Sequence, residues 1–157
     1  MKDAWDSVGA MLQAQAARLG AKTALIEAGS GRAFTYEELA SSAARWAVRL
    51  KSLGVRRGQR VAAAPENEAA WIHALLGLWW MGAVPILVDP RLKAGEAGAL
   101  LQACGAQALL CLDGRDLWPS LRGRWRKLRS AAPRRGAPRT PPAPLAGGAP
   151  ALIWPTS

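Results

Sequence analysis

The 157-residue sequence predicts an α/β fold in which a parallel sheet is built from β-α-β units. Three observations carry this expectation. Between residues 60 and 112, strand-like and helix-like segments alternate as β-α-β-α-β, and parallel strands need helical crossovers of this kind. Residues 84–88 form an apolar run of the sort seen in strands covered on both faces. The helical segments carry apolar residues at helical spacing and are bounded by capping and stop residues.

The elements follow in order. Residues 7–20 read as an amphipathic helix, with Val8, Met11, Leu12, Ala16 and Leu19 on one face and Gly20 as its stop. Residues 23–26 form a short strand, Ser30-Gly31 signals a hairpin, and residues 32–35 return as a second strand. Thr35-Tyr-Glu-Glu38 is a capping box, in which the Thr35 hydroxyl accepts from a backbone amide and Glu38 reaches back. The helix it opens presents Leu39, Ala43, Trp46, Ala47 and Leu50 on one face and ends at Gly54, a left-handed cap position. Residues 60–64 form a strand. Asn67 is placed to cap a helix over 68–81. Residues 84–89 form a strand ended by Pro90, 93–104 a helix, and 107–112 a strand.

From about Gly114 this register dissolves. Residues 123–129 read as a short basic stretch, and 130–150, dense in Pro and Gly, as a flexible linker. The expected organisation is a partial α/β core over 1–113, a basic Pro/Gly-rich linker over 114–150, and a terminal strand over 151–157.

Composition fits a globular chain, with half its residues hydrophobic and a fifth charged. The net charge of +10 is unevenly placed. Residues 1–114 carry 12 basic and 10 acidic side chains, whereas 115–157 carry 9 and 1. The basic character therefore belongs to the tail and does not mark the fold as a nucleic-acid binder. Cys104 and Cys111 match no metal spacing and read as free thiols in a reducing compartment. The N-terminus lacks the features of a signal peptide. Residues 71–88 are apolar apart from His73 and are long enough to suggest a membrane span. Gly82 and Pro85 interrupt the run, so a buried helix followed by a buried strand is the better reading.

Candidate site residues are few. No metal cluster, triad or glycine-rich phosphate loop is present, so no catalytic or metal-binding residue is assigned. His73, the single histidine, sits in an apolar helix and is read as a packed or partly exposed helix residue rather than a base. Asp89 ends a strand of a parallel sheet, where such folds place ligands, but it also suits the start of the Pro90 turn. Trp79 and Trp80 read as core residues rather than an acyl tunnel. The basic residues between 122 and 139 read as solvated, with Trp118 and Trp125 keeping nucleic-acid or membrane contact open.

Four segments, taken in order, resemble the adenylate-forming acyl-CoA synthetase and ligase superfamily, the AMP-dependent enzymes. Phe34-Thr-Tyr-Glu-Glu-Leu39 is similar to its first core motif. Gly54-Val-Arg-Arg-Gly-Gln-Arg-Val61 with Pro65-Glu-Asn67 matches the usual continuation. Leu78-Trp-Trp-Met-Gly-Ala-Val-Pro-Ile-Leu-Val-Asp-Pro90 is similar to the second core motif. Ala151-Leu-Ile-Trp-Pro-Thr-Ser157 resembles the strand and first residues of the third, the phosphate-binding loop. The resemblance covers residues 7–113 and the last seven. It implies an N-terminal fragment of the adenylating domain, truncated at the phosphate loop, with Thr156 and Ser157 opening that loop.

In the parent family the implied reaction joins a carboxylic acid to ATP with Mg2+, releases pyrophosphate, and passes the acyl-adenylate to coenzyme A. The implied setting is cytoplasmic fatty acid metabolism. The loop glycines, the lysines and the magnesium ligand would follow residue 157, so the chain alone is expected to be inactive and to bind none of these cofactors tightly. No specific nucleic-acid partner and no transmembrane span are expected. Two other classes stay open: a non-catalytic partner-binding fragment, and a basic-tailed nucleic-acid or membrane-surface protein on an unrelated α/β core.

Overall fold

The computed structural model describes residues 7–143, except 67, 114, 122, 124, 134, 135 and 137–139. Helix α1 (Val8–Leu19) is capped by Ser7, whose Oγ accepts from the amide of Ala10 at 3.0 Å. An antiparallel hairpin follows, β1 (Thr23–Ile26) with β2 (Ala33–Thr35). Helix α2 (Tyr36–Ser52) opens with the expected capping box: Thr35 Oγ1 accepts from the Glu38 amide at 3.2 Å, and Glu38 Oε2 accepts from the Thr35 amide at 3.0 Å. At its other end Gly54 takes φ +77°, and the Val55 amide donates to Leu50 O at 3.0 Å. This left-handed turn satisfies the last carbonyls of the helix.

The main sheet is parallel throughout, with strand order β4-β3-β5-β6, where β6 is Arg126–Ser130. Its first three strands are β3 (Arg60–Ala63), β4 (Val84–Leu87) and β5 (Ala108–Leu112). Helices α3 (Ala69–Trp80) and α4 (Ala94–Ala103) make the crossovers. Alternation along the strands divides the core. Val61, Ala63, Leu110 and Leu112 pack with Trp46, Leu50, Trp71 and Leu78 from α2 and α3. Ala62, Ile86, Leu109 and Cys111 pack with Ala97 and Leu101 of α4 on the opposite face. A third cluster joins Leu12 and Phe34 to Leu39, Ala43 and Ala47 of α2.

Residues 71–88 divide as the sequence predicts: α3 ends at Trp80, Gly82 turns at φ +76°, and β4 is buried. Among the described residues no helix is long and apolar enough to cross a membrane.

One expectation is corrected. The stretch assigned to the linker from residue 114 contains a fourth strand, β6 (Arg126–Ser130), paired along its whole length with β5. Its letters, Arg-Lys-Leu-Arg-Ser, read as a solvated basic run. Among the described residues it is the edge strand of the sheet, and charged residues suit an edge because they oppose further strand pairing. Trp118 and Trp125 anchor it: both are buried against the α4 face, and their indole N–H groups donate to Leu92 O (2.8 Å) and Ala106 O (3.0 Å). Beyond β6, the 140–143 segment also packs on the core, with Trp80 Nε1 donating to Thr140 O at 2.6 Å and the Ala143 amide donating to Trp80 O at 2.6 Å. The predicted terminal strand, 151–157, lies outside the described residues.

The cap expected at the start of α3, Asn67, is not among the described residues, and Glu68, at the N-cap position, makes no side-chain capping bond. A carboxylate of the hairpin serves this end of the helix: Glu27 Oε1 accepts from the Ala69 amide at 2.9 Å. A carboxylate there satisfies an orphan donor and complements the helix dipole.

Candidate functional site

The chain leaves β3 through α3 on one sheet face and returns to β5 through α4 on the other. The carboxyl ends of neighbouring strands β3 and β5 are therefore a topological switch point, where open α/β sheets place ligands. Glu66 and Glu68 follow β3, and Arg115 follows β5. Arg115 pairs with Glu66 and lies 3.6 Å from Glu68. Beneath these groups a cavity of about 10 Å³ is lined by Ala64, Trp71, Leu109 and Cys111. That is room for about one water molecule.

Asp89 follows β4 at the same end of the sheet. Its Oδ1 accepts from the Arg91 amide at 2.9 Å, and its carboxylate accepts from Arg91 Nε and Nη2 at 2.7–3.2 Å. The Arg91 side-chain bonds, followed by the amide bond, lower its pKa to about 2. Asp89 is thus occupied in building the turn. Cys111 is buried, and desolvation followed by the charge of Asp116 pushes its thiol above the usual range, so it is no nucleophile. Cys104 is a second free, half-buried thiol.

Near the switch point, Asp116 ties the loop after β5 to the edge strand. It accepts from Lys127 Nζ at 2.7 and 2.8 Å and from Arg129 Nη2 at 3.1 Å. Desolvation would raise its pKa, but the bonds and charges of Lys127 and Arg129 prevail and hold it low. Sequence reasoning missed this group because it belongs to the edge strand.

A larger cleft of about 530 Å³ lies between the hairpin, α2 and α3. Glu27, Arg32, Phe34, Arg45 and His73 line it. His73 is buried as predicted and meets Phe34 edge-on with 4.8 Å between ring centroids. Desolvation first, then the charges of Arg32 and Arg45, lower its pKa, so the ring is neutral at pH 7. Trp80 is buried and Trp79 half-buried against the core, which is the packing role expected of them.

Of the basic residues predicted to be solvated, Arg126, Lys127 and Arg129 lie on β6; Arg126 and Arg129 are exposed, but the Lys127 side chain is 9% exposed and paired with Asp116, which corrects the solvated reading there, while 122, 124, 134, 135 and 139 are outside the described residues. So are Thr156 and Ser157. Among the described residues no group of three His, Cys, Asp or Glu side chains could hold a metal.

The profile of the AMP-binding enzyme family matches residues 12–145. The chain belongs to this family. Across 76 residues this family member is 43% identical to a 4-coumarate–CoA ligase-like protein of Oryza sativa, over 48% of its own length and 14% of the relative's. A fatty acyl CoA synthetase of Mycobacterium tuberculosis superposes with a TM-score of 0.82 at 25% identity, covering 97% of this chain and 33% of that one. The O-succinylbenzoate coenzyme A synthetase of Bacillus subtilis, solved with ATP and a magnesium ion, gives a TM-score of 0.66 at 22% identity over 75% of this chain and 32% of its own, a likeness of fold alone. The chain thus corresponds to the N-terminal part of its relatives and spans 14–15% of the first curated ones.

Proposed function

We propose that this chain supplies the N-terminal part of an AMP-forming acid–thiol ligase. In that reaction a carboxylate oxygen attacks the α-phosphorus of ATP and pyrophosphate leaves. The thiol sulfur of coenzyme A then attacks the acyl carbon, its proton is lost, and AMP leaves. Adenylation is needed because oxide is a poor leaving group and AMP a good one. The observation that carries this reading is the family match across residues 12–145.

In this reading the described residues supply part of the nucleotide and magnesium crevice and not the whole of it. The switch point is closed by Arg115 and Glu66 over a cavity far smaller than a nucleotide, and no carboxylates converge on a metal position. Their role in this reading is structural: the sheet and the turn after β4 hold one wall of the crevice. Thr156 and Ser157 are proposed to open the phosphate loop, where hydroxyls and backbone amides donate to phosphate oxygens.

The 157-residue polypeptide is expected to show no carboxylate-dependent pyrophosphate exchange. Removing one preorganised donor from such a site costs about 100- to 1000-fold, and here most are missing. Exchange above a no-enzyme blank would sink this part of the reading. The family role has a separate test. A full-length relative whose corresponding segment is replaced by residues 7–143 should keep measurable adenylation. A chimera that folds yet has lost it would count against the assignment.

A further inference from the structure

The nine described acidic residues follow main-sheet strands or stand at helix starts. Glu27 bonds the Ala69 amide that opens α3; Glu37 and Glu38 open α2; Glu66 and Glu68 follow β3; Asp89 follows β4; Glu96 opens α4; Asp113 and Asp116 follow β5. All therefore belong to the end of the molecule where the sheet strands finish. The opposite rim, where those strands begin, carries Lys51 at the end of α2, Arg56 and Arg57 before β3, Arg60 at its first residue, and Arg126 at the first residue of β6. All five are exposed, and no described acid shares that rim.

Two of these arginines are held in place. Arg126 Nη1 and Nη2 donate to Leu53 O and Gly54 O, and Arg60 Nη1 donates to Cys104 O at 3.0 Å. Arg57 packs its stem on Gly82, 3.1 Å from where a Cβ would stand. The rim is thus partly preorganised, and four strands about 4.8 Å apart spread its charge over roughly 15 Å.

We propose that this basic rim docks the protein on an anionic lipid surface. Charge alone would suit any polyanion. The same rim also carries Leu53, Trp79 and Met81, half-buried apolar side chains at the ends of α2 and α3. Basic groups beside apolar and indole side chains match the headgroup layer, where each Lys or Arg adds attraction and Trp is at home. This surface lies at the opposite end of the sheet from the switch point, so binding there leaves the crevice open. The inference does not depend on the proposed ligase reaction.

Vesicle co-sedimentation of the 157-residue protein tests it. Vesicles of phosphatidylcholine with about a third phosphatidylglycerol should bind the protein at low salt and release it at high salt, while pure phosphatidylcholine should not bind it. The double variant K51A/R56A removes two exposed charges and should weaken partitioning about 25-fold, near fivefold per residue. R18A/K93A removes the same charge at the acidic end and should change it less than about twofold. Thermal melts of both variants establish that they fold. Equal losses in the two variants would show attraction to net charge alone and overturn the proposal. So would binding that ignores phosphatidylglycerol. Affinity for a single-stranded oligonucleotide that K51A/R56A abolishes, without vesicle binding, would assign the rim to nucleic acid instead.

Discussion

Replacing Gly77 with Ala sets two effects of opposite sign against each other. Gly77 lies inside α3 where that helix crosses α2. On helix propensity alone, Ala is favoured over Gly by about 0.8–1 kcal/mol. A Cβ at position 77, however, would stand 2.3 Å from Trp46 Cβ and 3.3 Å from the Trp46 carbonyl carbon and Cα. Trp46 Cβ is fixed by its backbone and cannot rotate away, so the two helices must part by roughly 1 Å, and a gap of that size forfeits up to about half of each dispersion well. Overpacking costs about 1–3 kcal/mol, and a clash with an immovable atom belongs at the top of that range. The net destabilisation is then about 2 kcal/mol, which lowers Tm by about 4–8 °C in a chain of this size. Thermal unfolding followed by circular dichroism reads it. An unchanged or raised Tm would show that propensity wins and that the α2–α3 contact is looser than this packing requires. Gly95 of α4 is the control, since a Cβ there meets nothing within 4 Å. Gly95→Ala should raise Tm by about 1–3 °C.

Three further outcomes are expected. Thr35→Ala removes half of the capping box and should cost about 1 kcal/mol, with faster amide exchange confined to the first turn of α2; uniform protection would refute the cap's contribution. An NMR titration should place the Asp89 carboxyl midpoint about 2 rather than 3.8. Because the Arg91 bonds favour the ionised form, any stability they give is complete above 3.8 and is lost as pH falls toward about 2; a midpoint that R91A leaves in place would refute the clamp. Asp116→Ala strands the Lys127 ammonium, whose side chain is only 9% exposed, with Trp118 O as its remaining partner. The cost should be about 3 kcal/mol in urea unfolding, and Lys127→Met in the same chain should recover most of it; equal losses in single and double variants would sink the argument.

Local chemistry fixed the elements from α1 to β5. Thr35 and Glu38 mark the start of α2 because a capping box satisfies donors within four residues, and Gly54 marks its end because φ +77° suits glycine. The break at Gly82 was legible for the same reason, and the resemblance of residues 34–39 and 78–90 to family motifs was confirmed by the match across 12–145. Tertiary structure decided what depends on partners distant in the chain. Strand order β4-β3-β5-β6 follows from crossovers on opposite faces, which no local pattern records. Strand β6 has one apolar residue, Leu128, among Arg126, Lys127, Arg129 and Ser130, so its identity comes from pairing with β5 and from the indole anchors of Trp118 and Trp125. The switch-point pair of Glu66 and Arg115 spans 49 residues, and the cap of α3 by Glu27 spans 42. Periodicity and local capping boxes act through neighbours one to four positions apart, so the sequence determines where most elements from α1 to β5 begin and end. Which elements meet, and which charges they bring to one end of the sheet, is settled when the chain packs.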